Sequence, residues 1–129
     1  MFEKLEIFRM AHAMAKHAGA RQAVVARNMA NADTPGYAAR DIAPFAETFK
    51  GGESQFAPRK TRAGHIGENA VGFAVQPRER VTGGADPNGN SVSLETEMLK
   101  AVEVKRQHDR AISIYKSSLT ILRAATGRQ

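Results

Sequence analysis

The sequence predicts a mainly α fold. Two long terminal helices pair as a coiled-coil-like α-domain, with an irregular, partly extended middle region between them. Three observations carry this reading. Apolar residues recur at alternating steps of three and four over residues 4–32, and again from Leu94 to Leu122. Between them, residues 38–90 are broken by Pro44, Pro58, Pro77 and Pro87 and by the pairs Gly51-Gly52 and Gly83-Gly84. The divisions are therefore 1–37 (first helix and its closing turn), 38–90 (middle) and 91–129 (last helix), the two ends together forming one α-domain.

The first helix is expected over residues 4–32, on a seam of Phe8, Ala11, Ala15, Ala18, Gln22, Val25, Met29 and Ala32, Gln22 being its one polar member. Small side chains along a seam allow a neighbouring helix to come close. Gly19 is a weak point, costing about 1 kcal/mol against alanine in a helix interior. The stop lies in the string Asn28-Met29-Ala30-Asn31-Ala32-Asp33-Thr34-Pro35-Gly36-Tyr37. Proline disfavours helical geometry at the residue before it, so the helix ends ahead of Thr34. Pro35-Gly36 has the chemistry of a type II turn, because glycine tolerates the positive φ required there. Asn31 and Asp33 have side chains suited to capping the backbone groups freed at that exit.

Apolar residues are sparse in the middle region: Ile42, Phe45, Phe49 and Phe56, then Val71, Phe73 and Val75 in alternation. The alternation predicts one short strand or extended arm, and the rest reads as loop, since so few anchors cannot bury a core. A turn cluster, Gly83-Gly84-Ala85-Asp86-Pro87-Asn88-Gly89-Asn90, closes it. Ser93 is then an N-cap, with Glu95 and Glu97 in the first turns, where the helix dipole favours anions. The second seam is Leu94, Met98, Ala101, Lys105, His108, Ile112, Tyr115, Leu119 and Leu122, with Lys105 and His108 setting register at its centre. Gly127 beyond Arg123 supplies the stop. At about 1.5 Å per residue the helices run roughly 40 and 50 Å. A compact chain of this size has a radius of gyration near 14 Å. Two such helices make a thin rod with apolar seam left over, so the seams call for neighbouring chains, and the isolated chain is expected to be monomeric or loosely associated, with disordered termini.

Composition narrows function by exclusion. The chain has 129 residues, 42% hydrophobic and 25% charged, with 19 Lys and Arg against 13 Asp and Glu. With no cysteine there is no disulfide, thiolate nucleophile or cysteine-ligated metal. Charges within Met1–Phe8 argue against a cleavable secretory signal, and no run is long enough to span a bilayer. His12 and His17 are five apart and do not share a helical face as a metal pair would. No serine has nucleophile-elbow context and no glycine loop has phosphate-binding spacing, so no catalytic, cofactor-binding or metal residue is nominated. Basic charge leaves a small helical nucleic-acid-binding or other self-assembling adaptor protein as the alternative. The positives are spread, however, no helix-turn-helix is visible, and the aromatics do not interleave with Lys and Arg.

The ten-residue string resembles the signature of bacterial flagellar axial proteins, Asn-apolar-Ala-Asn-x-x-Thr-x-Gly-aromatic, with Asn28, Ala30, Asn31, Thr34, Gly36 and Tyr37 in place and Asp33 and Pro35 between them. Its continuation to Asp41 is most similar to the proximal rod members of the flagellar basal-body rod protein family. Asn88 to Met98 resembles that family's Gly-Asn-x-Val-x-Leu-x-x-Glu-Met lead into the last helix, with Ser93 where an aspartate is usual, and Thr61 to Ile66 resembles a further family element. The resemblance implies a non-enzymatic subunit, without cofactor, that stacks helically into the drive shaft carrying motor torque. It implies as partners copies of itself, other proximal rod subunits, a FliE-type adaptor and the flagellar type III export gate, with neither nucleic acid nor membrane insertion. It implies residence in the periplasmic rod of the basal body, reached without a cleaved signal. Phe45 and Phe49 resemble the Phe-x-x-x-apolar element by which such subunits engage the gate. Helix and subunit interfaces are assigned to Phe8, Ala15, Ala18, Val25, Met29, Leu94, Met98, Ile112, Leu119 and Leu122.

Overall fold

The computed structural model describes residues 2–53, 76–80 and 86–127. Its elements, in order, are α1 (Phe2–Ala30), β1 (Arg40–Asp41), α2 (Phe45–Glu53), β2 (Arg78–Glu79) and α3 (Leu94–Thr126). The two long helices pack against each other. Asn28 meets Glu97 at one end, and Phe8 meets Tyr115 edge-on at 5.2 Å towards the other, so the helices run antiparallel. Helix α1 ends two residues before the expected Ala32, because the chain tightens at once into hydrogen-bonded turns, Asn31 N–H to Asn28 O and Ala32 N–H to Met29 O. Helix α3 has the expected limits. Ser93 takes an extended backbone, its hydroxyl accepts from the Thr96 N–H, and Gly127 N–H returns to Arg123 O.

The core between the helices is narrow. On α1 it consists of Ala11, Ala18 and Val25, each 2% exposed or less. Phe8, Ala15 and Met29 are half-buried beside them, whereas Gln22 is exposed. On α3 the inward line is Glu97, Val104 and Ala111. That line runs one residue ahead of the expected seam at Met98, Lys105 and Ile112. Leu94, Met98, Tyr115, Lys105 and His108 are exposed, and Ile112, Leu119 and Leu122 half-buried. The seam's phase was set by the large apolar side chains, but a carboxylate with partners occupies the innermost position.

Past the turn at Pro35-Gly36 the chain doubles back along α1. Asn28 bonds the backbone of Arg40, Arg21 the carboxylate of Asp41 and His17 the carbonyl of Ala43. This strip buries a second flank of α1, with Ala13, His17 and Val24 inside and Ala39 and Ile42 over them. The middle region is thus not all loop. β1 pairs antiparallel with β2, Arg40 opposite Glu79 and Asp41 opposite Arg78. α2 starts at Phe45, where the Pro44 carbonyl accepts from the Glu47 and Thr48 N–H groups. The expected strand Val71–Val75 and the Thr61–Ile66 element lie outside the described residues. Ala18, 1% exposed between the helices, leaves no room for a larger side chain. Ala18→Leu is expected to cost about 1–3 kcal/mol in denaturant unfolding, while Ala26→Leu on the exposed side changes it by less than about 0.5 kcal/mol.

Candidate functional site

The two signature-like strings of the sequence, Asn28–Tyr37 and Asn88–Met98, fold into a single polar knot. Asn28, 0% exposed, uses its whole amide. Nδ2 donates to Arg40 O at 2.7 Å and to Glu97 Oε2 at 3.0 Å. Oδ1 accepts from Arg40 N–H at 3.1 Å and from the Tyr37 hydroxyl at 3.4 Å. A side-chain amide thus pairs with a backbone residue as a second strand would, and no donor or acceptor of the group is left over.

Glu97 is equally buried and is shared three ways. Besides the Asn28 bond, Oε1 lies 3.0 Å from Arg80 Nη1 and 3.7 Å from Lys100 Nζ. Lys100 continues to Asp41 Oδ2 at 2.6 Å, and Asp41 Oδ1 receives Arg21 Nε at 3.1 Å and the Ile42 N–H at 2.8 Å. The chain of charges Arg80–Glu97–Lys100–Asp41–Arg21 ties α3, the segment after β2, β1 and α1 together. A buried carboxylate persists only when paired and hydrogen-bonded, and both conditions hold here.

Asn90, 1% exposed, joins the strings from the other side. Its Nδ2 lies 3.0, 2.6 and 2.9 Å from the carbonyls of Asn31, Ala32 and Thr34, while Oδ1 accepts the Val92 N–H at 2.8 Å. The carbonyls after α1 are therefore closed by a side chain from the far end of the chain. Asn31 adds a local bond, Nδ2 to Arg27 O at 2.8 Å. The turn itself is as expected: Tyr37 N–H reaches Thr34 O, and Gly36 has φ +71. Asp33, Thr34 and Pro35 are exposed on its outside, as is Ala30 before it. Gly36 N–H donates to Asn88 O at 3.0 Å, and Ser91 N–H to Tyr37 O at 3.1 Å. A Cβ on Gly89, whose φ is +79, would sit 3.5 Å from the Gly36 Cα. Gly89→Ala is thus expected to destabilise by about 1–2 kcal/mol through the left-handed backbone alone, and Gly19→Ala, inside α1, to stabilise by up to about 1 kcal/mol. Thermal unfolding of both separates turn strain from helix propensity.

Phe45 and Phe49 lie at the start of α2, 5.3 Å apart and half-buried, with the Phe45 ring edge-on to His17 at 5.6 Å. His17 is fully buried, its Nε2–H donating to Ala43 O at 2.8 Å. The sequence separates His17 from a metal pair without pointing to its burial, and gives Glu97 only a helix-start role. Among the signals available, only the position of Glu97 within the second string pointed to the knot. Among the described residues there is no cluster of three His, Asp or Glu that could hold a metal ion, and no helix long and apolar enough to cross a membrane.

Residues 15–37 match the model of the family described as flagella basal body rod protein. The chain is 35% identical over 118 residues to the flagellar basal body rod protein FlgB of Agrobacterium fabrum, covering 89% of this chain and 88% of that one. It is 35% identical over 107 residues to the FlgB of Salmonella typhimurium, covering 77% of each. The matched family segment contains the turn and Asn28, and the longer alignments span most of the chain, in which the second string provides Asn28 and the turn with their partners. The chain belongs to the flagellar basal body rod protein family, as a structural subunit of the FlgB type.

Proposed function

We propose that this chain builds the proximal rod, the membrane-near part of the drive shaft, by helical assembly with copies of itself and with other proximal rod subunits, and that it performs no catalysis. The observation that supports this best is the knot. It fixes where α1 stops, where α3 starts and how the middle of the chain leaves the pair, so every copy presents the same rigid two-helix body. A shaft transmits torque only if its subunits resist shear. Buried ion pairs and a fully satisfied amide provide that resistance at the end where the chain changes direction.

In this reading the subunit acts in the periplasm and arrives through the flagellar type III apparatus without a cleaved signal. A FliE-type adaptor lies at its base, and Phe45 and Phe49 engage the export gate. Phe8, Ala15, Ala18, Val25 and Met29 serve the helix pair, and Leu94, Met98, Ile112, Leu119 and Leu122 serve the pair or its neighbours. Deletion of the gene is expected to leave cells non-motile and without rods, restored by the intact gene. Motile cells with complete rods after deletion would overturn the proposal. Binding to DNA that falls steeply with added salt would favour the adaptor alternative instead.

A further inference from the structure

Of the five asparagines in the chain, only Asn88 is followed by glycine. With no Cβ at the next residue, the Gly89 nitrogen is the least hindered for attack on the side-chain amide before it. The attack forms a bond from Gly89 N to Asn88 Cγ. The nitrogen gives up its proton to solvent, and ammonia leaves as the Cγ–Nδ2 bond breaks. Water then opens the succinimide ring at one of its two carbonyls. Opening at one gives aspartate, and opening at the other gives isoaspartate, whose main chain runs through Cβ. Water is the one co-reactant, so asparagine and water become ammonia and the acid.

Asp86, Pro87, Asn88 and Gly89 are exposed, so burial does not shield the amide from water. Backbone geometry does. Gly89 N–H donates to Asp86 O at 2.7 Å, which closes a β-turn with Asn88 at its third position. Among the described residues only Gly36 and Gly89 have a positive φ, so this is a type I turn, with ψ of about 0° at Asn88. There the Asn88 nitrogen eclipses the Gly89 nitrogen, and Cβ stands about 120° away. Ring closure needs Cβ in the eclipsed place, a rotation of about 120° about Cα–C. Three hydrogen bonds resist it. The first is the turn bond to Asp86, and the second holds Asn88 Oδ1 to the Asn90 N–H at 3.0 Å. The third runs from Gly36 N–H to the Asn88 carbonyl at 3.0 Å, and that carbonyl must swing with the same rotation. Through Gly36, protection of Asn88 requires that the two strings have joined.

We propose that Asn88 is a deamidation site silenced by the closed knot, and that a chain left open ages into an isoaspartyl form that cannot close it. Isoaspartate lengthens the main chain by a methylene where Gly89 already lies close to Gly36, a Cβ on Gly89 standing 3.5 Å from the Gly36 Cα. The carbonyl before Gly89 then misses the Gly36 N–H. Asn90 moves with it, and its Nδ2 leaves the carbonyls of Asn31, Ala32 and Thr34. The aspartyl product keeps the backbone, and its carboxylate still accepts the Asn90 N–H. The inference does not depend on the rod-subunit reading.

The full chain is incubated at mildly alkaline pH, folded in buffer and unfolded in guanidinium chloride. Peptide mass spectrometry counts aspartyl and isoaspartyl products at residue 88. Deamidation is expected to be at least tenfold slower in buffer, because the site reacts only when the turn opens. Rates within twofold of each other overturn the proposal. Asn90→Ala, which removes the bonds to the carbonyls after α1 and leaves the turn sequence intact, is expected to shrink the ratio of unfolded to folded rates at least threefold. A ratio equal to the parent's overturns the link to the knot. The isoaspartyl chain is then purified, returned to buffer and compared with Asn88→Asp in denaturant titrations. It is expected to unfold at a clearly lower midpoint, with Asn88→Asp close to the parent. Equal midpoints for the two acids overturn the claim that the aged chain cannot close.

Discussion

Glu97→Ala is expected to lower the unfolding free energy by about 3–5 kcal/mol, the cost of leaving buried charge uncompensated. The side chain is wholly inside and holds Arg80 at 3.0 Å, the Asn28 amide at 3.0 Å and Lys100 at 3.7 Å. Truncation leaves the Arg80 guanidinium facing a cavity and one Asn28 donor without an acceptor. Lys100 is less affected, since Asp41 remains at 2.6 Å. Against a total stability of about 5–15 kcal/mol for a small domain, the loss is a large fraction. Urea titration followed by helical circular dichroism measures it. The double variant Glu97→Met, Arg80→Met is expected to regain most of the loss, because removing both members of a buried pair leaves no orphaned charge. A single variant within about 1 kcal/mol of the parent would mean that Glu97 is hydrated in solution.

Asn28→Asp should be nearly as damaging despite being almost isosteric. The amide donates to Arg40 O and to Glu97 Oε2. A carboxylate in its place turns both donations into lone-pair contacts and sets a second negative charge beside Glu97. The expected cost at neutral pH is about 3 kcal/mol or more, above the roughly 1–3 kcal/mol of Asn28→Ala, which only leaves partners unsatisfied. The order of the two variants is the informative result. If the alanine variant were the weaker, packing rather than the direction of hydrogen bonding would hold the knot together.

What was legible in the sequence followed from local chemistry. Pro35-Gly36 dictates its own turn, and Gly36 has the positive φ that a type II turn asks for. Ser93 and Gly127 bound α3 because capping is decided within a few residues. The pairing of the terminal helices followed from periodicity. The exact phase of α3 did not, because periodicity counts Leu94 and Met98 as inside and cannot see that Arg80, Lys100 and Asn28 converge on Glu97. The stretch of helix α2 reads as loop because apolar anchors are so sparse in the middle region, yet Pro44 opens the helix and the Phe45 ring has His17 to rest on. The capping role of Asn90 was hidden for a similar reason, since its acceptors lie 56 to 59 residues away. Within the family string it was visible as a residue, but not as the residue that closes α1.

That distance sets an order of events. A lone helix of this length in water is only marginally populated, and packing rather than propensity supplies most helical stability. The packing for α1 comes from α3, across separations that begin at 69 residues between Asn28 and Glu97 and widen towards Phe8 and Tyr115. Loop-closure entropy must be met before any of those contacts forms, which makes folding slow and late. The first helix to be synthesised is therefore among the last parts to be secured. A chain that ends before Asn90 has neither the cap for α1 nor the partner for Asn28, and it stays extensible until its final third is present.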